Sequence, residues 1–159
     1  MNPYAIFLGD RNPRDVVQET PGRLTAYLER LGSEGVERSP APGKWNVRQV
    51  LCHLADCEIV FAFRLRQALA EPNHVIQPFD QDAWAKSYAS TSLDAHRALE
   101  TFSVVRQWNI ALLDTIAPEQ LSKPLSHPER GQMTLQTVIE TMGGHDLNHI
   151  AQIERIALA

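Results

Sequence analysis

The chain lacks most of the features that mark out specialised classes of protein. It has two cysteines, Cys52 and Cys57. Five apart, they match neither a Cys-x-x-Cys redox pair nor a zinc knuckle. On one helix they point away from each other, so they read as reduced thiols of a cytoplasmic protein. No apolar stretch is long enough to span a bilayer, so no membrane association is expected. The opening residues MNPYAIFLGDRNPRD have no basic n-region and only a short apolar run broken by charge, so no signal peptide is expected. Positive charge is not in excess. Fifteen Lys and Arg against 19 Asp and Glu give a formal charge of −4, with a pI near 5.8, and no electrostatic reason to expect nucleic acid. Internal repeats and low-complexity tracts are missing, and no segment reads convincingly as a strand.

What the chain does have is helical periodicity. With 43% hydrophobic and 21% charged residues it has an ordinary globular composition, and 159 residues suit one domain, 1–159, with a real core. Four long segments repeat apolar residues at helical spacing. The first runs from about Arg14 to Leu31, with a break expected at Thr20-Pro21, where Thr20 can cap and Pro21 can occupy the first helical position. The second follows the turn SPAPGKWN and runs from Val47 to about Leu69, with Asn46 as N-cap. The third spans roughly Leu93 to Ile116, capped by Thr91 or Ser92 and closed before Pro118. The fourth starts at Thr134 and continues to the end of the chain. Long, proline-bearing connections with short helices around DQDAWAKS and PEQL follow the second and third. An antiparallel four-helix bundle is the default architecture.

Histidine falls on the inward faces. In the fourth segment Leu135, Val138, Met142, Ile153 and Ile156 mark an apolar stripe, and His145 and His149, one turn apart in GGHDLNHIAQI, lie inside it. In the second, Val50, Leu54, Cys57, Val60, Phe61, Leu65 and Ala68 form the stripe, and His53 lies at its edge. Two readings stand: each imidazole hydrogen-bonds separately within the core, or the three share one divalent metal, a chemistry that bundle cores accommodate. The thiols of Cys52 and Cys57 are soft alternative ligands, but Cys52 points off the His53 face and Cys57, one turn beyond His53, reads as core packing. His74 and His96 read as surface residues, while His127 is open because its loop precedes the fourth helix.

The stretches KWNVRQVLCHLADCE, FDQDAWA and GGHDLNHIAQI resemble the DinB/YfiT-like family over most of the chain. The resemblance implies an all-α four-helix bundle of up-down-down-up topology with a long crossover after the second helix. It also implies a divalent metal, zinc or nickel, held by His53, His145 and His149. Family members include thiol transferases using bacillithiol or mycothiol, a mycothiol-dependent isomerase and proteins classed as hydrolases; the family name refers to damage induction, which names no chemistry. The expected function is therefore metal-dependent transfer of a low-molecular-weight thiol to small electrophiles. Metal-dependent hydrolysis and non-catalytic metal or ligand binding are the alternatives, and a homodimer is an open assembly state. One departure is Gln49, four residues before His53, where the family motif often has glutamate.

Three neutral imidazoles leave a divalent ion its full charge and an open position, where a water or a thiol can ionise. Asp56 and Asp146 are candidates for orienting the metal-bound rings. Arg64, three turns beyond His53, is a candidate anion-binding group. In the connection after the second helix, Asp82 and Trp84 either border a substrate pocket or belong to a helix capped by Asp80 with Trp84 packed on the bundle. That connection, Glu71 to Ser90, is expected to cross the bundle end.

Overall fold

Four short polar side chains start the helices. Asn12 accepts a hydrogen bond from the Arg14 amide at 2.9 Å and Pro13 follows at the first helical position. Asn46 and Gln49 form a reciprocal capping box, each side chain bonding the other's backbone at 2.9 Å. Asp80 accepts from the amides of Asp82 and Ala83, and Asp94 from that of His96. The resulting computed structural model describes residues 1–87 and 93–158. Its helices are α1 (Ala5–Leu8), α2 (Pro13–Gly35), α3 (Val47–Ala70), α4 (Gln81–Ser87), α5 (Ala95–Leu113) and α6 (Leu135–Leu158), with a 3-10 turn at Pro118–Ser122.

Three expectations need correction. The break at Thr20-Pro21 is absent: α2 runs through Pro21, and the departure from helical geometry comes at Gly32, where φ is +63°. A two-stranded antiparallel hairpin, β1 (Pro124–His127) and β2 (Gly131–Thr134), precedes α6. Each strand is four residues long, too short for alternation to stand out from a loop. The third helix is capped by Asp94, two or three residues inside the positions expected; Thr91 and Ser92 lie outside the described residues.

The bundle is also not antiparallel throughout. Glu58 of α3 bonds Arg106 and Asn109 of α5, and Arg66 further along α3 also reaches Asn109, so α3 and α5 run parallel. Likewise Val16 packs with Leu147 while Arg23, a turn or two later, bonds Glu154, so α2 and α6 run parallel. After α3, residues 74–76 form an isolated bridge with the hairpin, the Ile76 amide donating to the Ser126 carbonyl and the Ser126 amide to the His74 carbonyl. The arrangement is up-down-down-up.

Two apolar clusters fill the interior. One gathers Leu24, Leu54, Phe102, Ile150 and Ile153; the other gathers Val17, Leu65, Leu135, Ile139 and Met142. Side chains of this kind each contribute about 1.5–3 kcal/mol when fully buried. Between the two clusters, on the middle turns of α3, α5 and α6, lies a polar layer: His53, Glu58, Arg106, Asn109, His145, Asp146 and His149, all buried. Arg106 donates to both oxygens of Asp146 (2.6 and 3.1 Å) and to Glu58 (2.7 Å), and Asn109 donates to the other Glu58 oxygen at 2.6 Å. Burial opposes the Arg106 charge, but Asp146 and Glu58 outweigh it and hold its pKa above the ordinary value.

Candidate metal centre

Spacing along two antiparallel helices builds the site. Residues 53, 57, 61 and 64 of α3 and residues 141, 145, 149 and 152 of α6 recur every three or four positions, so each set shares a face. The three imidazoles meet across the α3–α6 interface. Ring centroids are 4.5 Å apart for His145 and His149, 4.8 Å for His53 and His149, and 5.3 Å for His53 and His145. The Nε2 atoms of His53 and His145 approach to 3.2 Å. Cys57 Sγ lies 3.4 Å from His53 Nε2, and His53, Cys57 and His145 each offer a donor atom within 4.8 Å of the others. Cys57, one turn after His53 and favoured as core packing over a soft ligand, lies beside the candidate donors as well as in the core.

The donor set of His53, Cys57 and His145 fits a divalent cation. Two nitrogens in a tetrahedral shell with bonds of about 2.0–2.1 Å are separated by about 3.3–3.4 Å, close to the observed Nε2 spacing. His145 Nδ1, the ring nitrogen turned away from His53, is buried without a hydrogen-bond partner among the described residues. His149 Nδ1 is 2.8 Å from Gln152 Oε1, an acceptor, so Nδ1 carries the proton and Nε2 keeps its lone pair. All three rings are kept neutral. Burial, with a smaller contribution from His149, lowers the His53 pKa to about 3. Burial and the neighbouring histidines hold His145 well below the ordinary range. Burial lowers His149 too, opposed by Gln152 and Asp146. Burial pushes the Cys57 thiol well above its usual value.

The N-terminal residues cover one side. Tyr4 lies edge-on to His145, with ring centroids 5.2 Å apart, and Trp45 tilts over His53 at 5.1 Å. The approach of Tyr4 requires Gly144: a Cβ there would come within 2.6 Å of the Tyr4 carbonyl oxygen. A cavity of about 290 Å³, walled in part by Tyr4, opens from His145 and Cys57 past Phe61 and Arg64 to His127 and Arg130 of the hairpin. A second groove, lined by Trp45, Asp82, His149 and Gln152, approaches the opposite face of the ring cluster.

The remaining candidates are distributed unevenly. Asp146 contacts Arg106 and not an imidazole. Asp56 faces the groove between α3 and α5, lined also by Asp94 and Arg97, away from the rings. Gln49 completes the capping box of α3, its side-chain oxygen accepting from the Asn46 amide. Arg64 lines the cavity; Asp82 borders the His149 groove; Trp84 meets Phe79 in a tilted ring contact, centroids 4.8 Å apart, on the outer surface. His96 is exposed, whereas His74 is half-buried beside Glu71 and His127 is buried in the cavity wall.

Comparison with known proteins agrees with this architecture. The chain is 30% identical over 137 residues to a protein of Oceanobacillus iheyensis named "Putative metal-dependent hydrolase", covering 86% of this chain and 79% of that one. It is 28% identical over 143 residues to a Bacillus subtilis protein of the same designation, YfiT, covering 89% and 80%. The solved structure of Bacillus subtilis YfiT, described as a probable metal-dependent hydrolase with an unusual four-helix bundle topology, superposes with a TM-score of 0.84 at 27% identity over 92% of this chain and 84% of that one. Residues 17–153 match the DinB superfamily, and the chain belongs to that superfamily.

Proposed function

We propose that His53, His145 and His149 hold one divalent ion, zinc or nickel, and that the chain uses it to transfer a low-molecular-weight thiol to a small electrophile. When bound, the ion supplies positive charge that favours the ionised form of a thiol or a water at an open position. The chain's residues do the rest. Burial keeps the imidazoles neutral and available as donors, Gln152 fixes the His149 tautomer, and Tyr4 packs edge-on against His145 at the inner end of the cavity.

The observation that favours a thiol over a water is where the carboxylates go. Attack by water is commonly assisted by a nearby carboxylate base. The buried carboxylates nearest the rings, Asp146 and Glu58, are both committed to Arg106. Among the described residues the carboxylate lining the cavity, Glu129, is exposed at its rim, and Asp82, in the groove beside His149, is exposed as well. A thiol, far more acidic than water, ionises without such a base. Hydrolysis is the second reading, supported by the designation of the relatives.

The test is consumption of monochlorobimane by the zinc- or nickel-loaded protein, with and without bacillithiol or mycothiol. Thiol- and metal-dependent consumption that His53→Ala abolishes is the expected result. Turnover of esters or amides without thiol would instead establish hydrolysis, and neither activity would leave metal binding alone.

A further inference from the structure

The outer end of the 290 Å³ cavity carries cationic groups that the histidine cluster does not use. Arg64 Nε is buried with no hydrogen-bond partner, and its Nη2 makes only a long 3.3 Å bond to the Gln77 carbonyl. Among the described residues neither Arg64 nor Arg130 has a carboxylate within ion-pair distance. His127 adds a directed donor: its Nδ1 accepts the Glu129 amide at 3.2 Å, so in the neutral ring Nε2 bears the proton. Burial, with Arg130 and Arg64 next in effect, keeps that ring neutral. A partly buried guanidinium with an orphaned N–H, beside a second guanidinium, is unfavourable until an anion arrives.

We propose that Arg64, Arg130 and His127 form an oxyanion subsite that receives a carboxylate or phosphate group of a small substrate whose reacting end faces the histidines. Both groups match the planar fork of arginine, and both would satisfy the donors now unpaired. The cavity, at the lower end of the roughly 300–1,000 Å³ usual for ligand sites, suits a small anionic molecule. This inference rests on the reading of the histidine cluster as the reacting end of the same cavity.

The test uses the full chain, freed of metal by chelation, titrated separately with acetate and inorganic phosphate while histidine and arginine side-chain NMR signals are followed. Saturable binding of one or both is expected, the tighter one identifying the group the subsite prefers. Arg64→Gln and Arg130→Gln should each weaken it by about tenfold or more, with zinc affinity unchanged in both variants. Arg130 is exposed at the hairpin turn, so its variant keeps the test independent of folding. Absence of saturable binding by the parent chain, or variants that bind like the parent, would overturn the subsite. If the parent binds anion as expected but takes up no zinc, the metal reading fails and the subsite stands.

Discussion

Arg106 of α5 donates a 2.9 Å hydrogen bond to the carbonyl of Val17 in α2. In an uninterrupted helix that carbonyl would accept from residue 21, but residue 21 is proline and has no N–H. A buried guanidinium from another helix thus satisfies the acceptor that Pro21 leaves open. The same guanidinium neutralises Glu58 and Asp146, tying α2, α3, α5 and α6 together at one level.

Replacing Arg106 with leucine should therefore be costly. Two carboxylates and a carbonyl would be left without their partner, and losing one member of a buried ion network costs about 3–5 kcal/mol. Urea unfolding of Arg106→Leu against the parent measures this. A loss below about 1 kcal/mol, the scale of a surface pair, would show that the network is not the keystone described.

The histidines make the metal-free protein sensitive to acid. In the unfolded chain they take up protons near pH 6.5. In the folded chain His53 resists until about pH 3, and His145 and His149 are lowered in the same direction. Between those values the unfolded state binds more protons, so stability rises with pH and is lost as pH falls through that window. Each withheld proton contributes a slope of about 1.4 kcal/mol per pH unit. Urea midpoints of chelated protein at about pH 7 and about pH 5 should differ in that sense; equal midpoints would contradict it.

Gly144 should tolerate no side chain. Its missing Cβ makes room for the Tyr4 carbonyl, so Gly144→Ala must push the N-terminal segment off α6. A cost of about 1–3 kcal/mol is expected, as for other overpacked contacts. Hydrogen exchange at residues 5–9 should speed up in the variant. Unchanged exchange there would mean that the contact is not what holds α1 in place.

Cys57 and His149 can be ranked by metal affinity. If the three imidazoles are the ligands, His149→Ala should weaken zinc binding by more than about 100-fold, beyond the 10–100-fold typical of outer-shell changes, and Cys57→Ala by less. Competition with a chromogenic chelator gives both values. The reverse order would make the thiol a ligand in place of His149.

Much was legible without coordinates because helical periodicity is local. The positions of α3 and α6, their inward faces, the Asn46 cap and the presence of three histidines on those faces all follow from spacing of a few residues along one chain. The hairpin was not legible, since four-residue strands carry too little pattern. Nor was the unbroken α2, because proline's local preference is to end a helix or to stand at its start.

By itself, then, the sequence determined the four long helical segments, which of their faces are apolar, and that His53, His145 and His149 lie on or beside those faces. Only the tertiary structure decided which of those faces meet. The parallel pairing of α3 with α5 puts Arg106 against Glu58 and Asp146, and so takes Asp146 away from the histidine beside it in sequence. The antiparallel pairing of α3 with α6 brings His53 and Cys57 to His145. Such contacts join residues 40 to 92 positions apart, where no periodic pattern reaches and only packing of the assembled helices sets the distance.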